Sequence, residues 1–157
     1  MANDPKKDSR WVEQFERVRR WHQKVKQIRR NQASTTEDDL DILFAFFLNC
    51  YHLYDWLKHS KVLAVEVLNE FFRQNEMMKI CHDICVGSKH LKINQPLVDS
   101  DYRIAREYVP APFSGGQPSS RRTRLIKFNG NIFDMVNIAD QSMSAVEDFL
   151  HKNNLLE

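Results

Sequence analysis

The chain has 157 residues, enough for one domain with a sizeable core, and 42% apolar with 11% aromatic residues excludes a largely disordered chain. A net charge of +2 singles out no class of partner, so the distribution of charge matters more than its sum. No run of eighteen apolar residues and no basic-apolar-small opening is found, which points away from membranes and export and toward the cytoplasm.

Residues 1–7 are polar and read as a frayed tail. Asp8 or Ser9 can cap a first helix reaching about Asn31, with Trp11, Phe15, Val18, Val25 and Ile28 recurring at helical spacing toward a core. Its outer face is strongly basic, with Arg19 and Arg20 among its cations. Such a surface suits phosphates, and it equally suits pairing with acids such as Glu37 to Asp41.

Thr35 or Thr36 caps the next helix, whose core stretch DILFAFFLNCYHLYDWLKH (Asp41 to His59) is the most apolar of the chain. Leu43, Phe46, Phe47, Cys50, Leu53, Tyr54 and Leu57 share one face, and Asn49, His52, Asp55 and His59 line the other. Three readings of that stripe stand open: an exposed or capped polar edge, a polar network between helices, or a catalytic or metal cluster.

Ser60 is the expected cap of a third helix, Lys61 to about Arg73, and a fourth runs from about Glu76 to His90. On the fourth, Asp83 and His90 follow the edge of the inner face, and Gly87 marks either a close helix contact or a helix end carrying Ser88, Lys89 and His90. Cys50, Cys81 and Cys85 all lie in apolar helical context and read as buried, reduced thiols; Cys81, His82 and Cys85 do not match a zinc ribbon.

Residues 97–136 form a β appendage in this reading. Tyr102 to Val109 and Arg124 to Val136 favour strands, Asn129-Gly130 signals a hairpin turn, and residues 110–123 read as a mobile loop leading into Arg121, Arg122 and Arg124. A last helix spans about Ile138 to Asn153, with Ala139, Met143, Val146, Phe149 and Leu150 inward. The expected fold is mainly α: a single domain over 1–157, an up-down bundle of about five helices with a small β-hairpin insertion before the last.

If the second and fourth helices are neighbours, His52, Asp55, Lys89 and His90 supply a base, an orienting carboxylate and a cation, with Asn49 and Asp83 beside them. Arg19, Arg20, Arg121, Arg122 and Arg124 would rim that site and hold RNA phosphates. The chemistry that suits such a set is phosphodiester cleavage by an RNA 2′-hydroxyl, which needs no cofactor and no metal. Metal binding through His52, Asp55 and a fourth-helix ligand is the rival, and a non-catalytic interaction bundle is the other alternative. Phosphate loops, nucleophile elbows, HExxH and paired CxxC motifs are missing.

NCYHLYDWL followed by DICVGSKHL resembles a group of uncharacterised bacterial helical-bundle proteins, and the helical layout is similar to HEPN-type domains. That resemblance covers the bundle helices and not the β appendage. It implies a dimeric, metal-independent endoribonuclease of toxin, phage-defence or RNA-processing systems, with RNA as a partner and a homodimer as the assembly. The HEPN signature is an Arg followed by His after four to six residues, late in the bundle. Here the match is Arg17 to His22 on the first helix, so the family's catalytic pair is not carried onto them.

Overall fold

The computed structural model describes residues 8–28, 30, 36–89, 96–98, 102–105 and 124–157. They form α1 (Trp11–Ile28), α2 (Thr36–Ser60), α3 (Val65–Gln74), α4 (Glu76–Lys89), β1 (Arg103–Ala105), β2 (Leu125–Phe128), β3 (Asn131–Asp134) and α5 (Met135–Lys152). The helical bundle with a small antiparallel β element before its last helix is thus the observed architecture. The expected tail at 1–7 and loop at 110–123 lie outside the described residues. Among the described residues no helix is long and apolar enough to cross a membrane.

α2 is the axis of the bundle, packing against each of the other four helices. All seven residues assigned to its apolar face are buried, and Phe46, Phe47, Leu43, Leu53 and Leu57 are closed to solvent entirely. The inner face of α1 is buried as its spacing predicts, but it also carries Gln14 and His22.

Helix ends differ from expectation where one residue serves two elements. Ser60 does not cap the third helix: it ends α2, its hydroxyl donating to the Trp56 carbonyl at 2.6 Å. Lys61 then turns the chain with φ of 55°, the left-handed conformation that commonly stops a helix, and α3 starts only at Val65. Asn75 closes α3 by donating its backbone N–H to Phe71 and opens α4 by accepting from Met77 and Met78 at 3.0 and 3.2 Å.

The β element is a three-stranded antiparallel sheet in the order β1-β2-β3. Asn129 and Gly130 both have positive φ, 46° and 81°, as a two-residue hairpin of this kind requires. Met135 and Val136, read from sequence as strand, belong to the first turn of α5. The cause is Asp134, which ends β3 and also caps α5 by accepting from Val136 and Asn137 at 2.8 and 3.3 Å. Below the hairpin, Arg124 is buried and pairs with Asp39 at the start of α2 at 2.5 Å, tying the sheet to the bundle.

Candidate functional site

α1 does not present one basic face. At about 100° per residue its cations separate to different flanks. Arg17 and Lys24 lie toward α2, Arg17 5.9 Å from the Trp56 ring and Lys24 lining a cavity with Asp38, Asp41 and Ile42, while Arg20 is exposed. Arg19, His22, Gln23 and Lys26 instead face α5, where they and Asp140, Met143, Ser144 and Glu147 line an open cavity of about 470 Å³.

His22 forms the floor of this groove. Only 8% of it is exposed, its ring sits 5.7 Å from Phe46, and its Nε2 is 2.7 Å from Oδ1 of Asp140. The carboxylate accepts, so Nε2 carries the proton in the neutral imidazole and Nδ1 is left as the basic nitrogen. Asp140 keeps 43% of its side chain exposed, so the pair runs from the core to water. Arg19, exposed at the rim, is 3.1 Å from Glu16 and overlies Phe15 at 5.8 Å. Sequence reasoning passed over this pair. Its signal was a histidine three and four residues from Val25 and Val18, inside an otherwise apolar stripe.

The polar stripe of α2 is divided among different neighbours. Asn49 donates to the Ala45 carbonyl at 2.7 Å and accepts from Gln14 of α1 at 3.2 Å. His52, half-buried, faces α4, with Nε2 3.7 Å from Cys85 Sγ. Asp55 and His59 are exposed; His59 Nδ1 is 2.7 Å from the Asp55 carbonyl, and both border a cavity of about 240 Å³ with Arg10 and Trp56. α2 and α4 are neighbours, as the sequence reading required.

On α4, Asp83 is fully buried. Its carboxylate accepts the backbone N–H groups of Leu97 and Val98 at 2.8 and 2.7 Å, and His82 Nδ1 lies 2.7 Å away. It therefore fastens the chain beyond α4 to the bundle. Tyr51, edge-on to His82 at 5.1 Å, has its phenol pushed up to about 12 by burial. Cys50, Cys81 and Cys85 are buried and in no disulfide; the hydrogen bond with Cys81 and then burial hold the Cys50 thiol well above its usual range.

Lys89 ends α4, but its side chain lies outside the described residues, as do His90, Arg121 and Arg122. Arg124 is buried against Asp39, away from any phosphate-binding rim. Arg17 and His22 sit on opposite flanks of α1 and do not share a groove: the Arg17 guanidinium donates to Gln14 Oε1 at 2.5 Å on the α2 side. Among the described residues no three His, Cys, Asp or Glu side chains converge so as to hold a metal ion. The chain matches no family model, no curated protein and no solved structure. What bears on function is therefore the geometry of its own residues.

Proposed function

We propose that this protein acts on RNA in the cytoplasm, binding phosphates in the groove between α1 and α5 and cleaving the phosphodiester there without a metal. The observation that supports this best is the His22–Asp140 pair at 2.7 Å on the floor of an open groove flanked by Arg19 and Lys26. Asp140 holds the imidazole through Nε2–H. Nδ1 of His22 takes the proton of an RNA 2′-hydroxyl as that oxygen attacks the adjacent phosphorus. The bond from phosphorus to the 5′-oxygen breaks, water protonates the leaving oxygen, and a 2′,3′-cyclic phosphate and a 5′-hydroxyl result. Arg19 and Lys26 neutralise charge on the phosphoryl oxygens.

This is the HEPN-like reading with its chemistry relocated. His52 remains a candidate for a second polar site at the α2–α4 seam, where it meets Cys85, whereas Asp55 borders a separate cavity with His59. A role in toxin, defence or RNA-processing systems is what the HEPN resemblance would add to such an activity.

Binding is measured by anisotropy of a labelled single-stranded RNA at several salt concentrations. Arg19→Ala with Lys26→Ala removes two phosphate contacts, so the slope of log affinity against log salt falls by roughly 1.4 and affinity drops at least tenfold. An unchanged slope and affinity would remove the groove from the proposal.

A second reading, a non-catalytic interaction bundle, is favoured by how many polar side chains the fold itself consumes. Asp83 is spent on two backbone amides, Asp39 on Arg124 and Gln14 on Asn49. In that case His22→Gln lowers stability and leaves RNA intact.

A further inference from the structure

α1 and α2 share a further open cavity, of about 470 Å³, at the end of the bundle where α1 stops and α2 starts. That volume falls in the range of small-molecule sites, and neither the RNA reading nor the α2–α4 seam draws on it. Trp21 of α1 is half-buried in its wall, and Ile28 and Ile42 add apolar surface from the two helices. The exposed side chains of Asp38 and Asp41 line it from α2.

The charges fix the sign of a ligand. Glu37, Asp38 and Asp39 occupy the first turn of α2 and offset the positive end of its dipole. Asp41 lies beyond that turn and has no ion pair among the described residues, so its charge is surplus. Asp39 adds an unmet acceptor to the wall: it is buried, Arg124 pairs with its Oδ2, and Oδ1 has no hydrogen-bond partner among the described residues. An anion is repelled here and a cation attracted. A metal ion is a poor match, because among the described residues no three His, Cys, Asp or Glu side chains converge and the wall is partly apolar.

Lys24 shows which kind of cation fits. Its Nζ lies 4.2 Å from the centre of the Trp21 ring, so the chain seats an alkylammonium of its own on the aromatic face of the cavity. We propose that the cavity binds a linear polyamine, which displaces Lys24 from the ring, sets one ammonium over Trp21 and another beside Asp41, and lays the methylenes between them along Ile28 and Ile42. Ammonium groups spaced by short apolar runs match a wall in which acids and apolar side chains are interspersed. Lys24 is then an internal competitor, holding the ring until the ligand takes its place.

The test is a calorimetric titration of the full chain with spermidine at low salt, comparing wild type with Trp21→Leu, Asp41→Asn and Lys24→Ala. Lys127→Ala, on the exposed face of β2, makes the same charge change away from the cavity. Circular dichroism checks folding; Asp41 and Lys24 are exposed and carry the test alone if Trp21→Leu does not fold. Wild type binds spermidine, Asp41→Asn weakens binding roughly threefold to fivefold and Trp21→Leu roughly fivefold. Lys24→Ala tightens it, again roughly fivefold, whereas Lys127→Ala changes it little. No binding at millimolar spermidine, equal effects of Lys24→Ala and Lys127→Ala, or binding of an arginine-rich peptide but not of spermidine overturns the inference.

Discussion

The Tyr102 ring occupies the space that any side chain at Gly87 would need. A Cβ on Gly87 would lie 2.5 to 2.8 Å from Tyr102 ring and hydroxyl atoms, far inside contact distance. The ring cannot simply swing aside, since its hydroxyl donates to the Ile84 carbonyl at 3.3 Å and Phe128 is 5.2 Å away. Gly87 is therefore the seat on which the β appendage rests against α4. Overpacking costs ~1–3 kcal/mol, of which better helix propensity returns up to about 1. Gly87→Ala should destabilise the protein by up to about 2 kcal/mol in urea unfolding. In a Tyr102→Ala background the same change should be neutral or stabilising, and a cost that persists there would mean that Tyr102 is not the obstacle.

Arg124→Met is expected to be among the most damaging single changes outside the apolar core. The side chains of Asp39 and Arg124 are 1% and 8% exposed, and among the described residues Asp39 Oδ1 and Arg124 Nε have no hydrogen-bond partner. Removing the guanidinium strands a buried carboxylate, at a cost of about 3–5 kcal/mol. Asp39→Asn added to Arg124→Met should recover most of that loss, which a double-mutant cycle measures directly. A double variant whose loss equals the sum of the two single losses would show that the pair is not coupled.

How far the sequence led depends on which forces act locally. The inner faces of α1, α2 and α5 were legible because periodic burial leaves a periodic pattern. The Asn129-Gly130 turn was legible because few residue pairs accept positive φ twice. Ser60, Asn75 and Asp134 were harder, since each serves two elements and a cap signal does not say which one it opens. The site residues show the limit most clearly. His52 and Asp83 stood out by sequence spacing, yet partners distant in the chain decide their chemistry: Cys85 for one, the Leu97 and Val98 amides for the other. His22 and Asp140, 118 positions apart, could be joined only by folding.

Two tyrosines should titrate late. Burial pushes Tyr51 up to about 12, and burial followed by the nearby Asp83 and Cys85 does the same for Tyr102. An unfolded tyrosine ionises near 10. Between about pH 10 and pH 12 the folded state therefore holds more protons than the unfolded one, so stability falls as pH rises across that window and is unaffected by these groups below it. Absorbance titration of the native protein should show a late phenolic step near pH 12 from Tyr51 and Tyr102. Replacing Tyr51 and Tyr102 by Phe should remove that late step, whereas its persistence would place the late phenols elsewhere.

The most direct measurement is cleavage of a labelled single-stranded RNA by the purified chain in excess EDTA, comparing wild type with His22→Gln and Asp140→Asn after unfolding curves show that all are native. The account predicts EDTA-resistant cleavage ending in 2′,3′-cyclic phosphate, lowered at least ~100-fold by His22→Gln and less by Asp140→Asn. Intact RNA with the wild type, or cleavage unaffected by His22→Gln in folded protein, would contradict it.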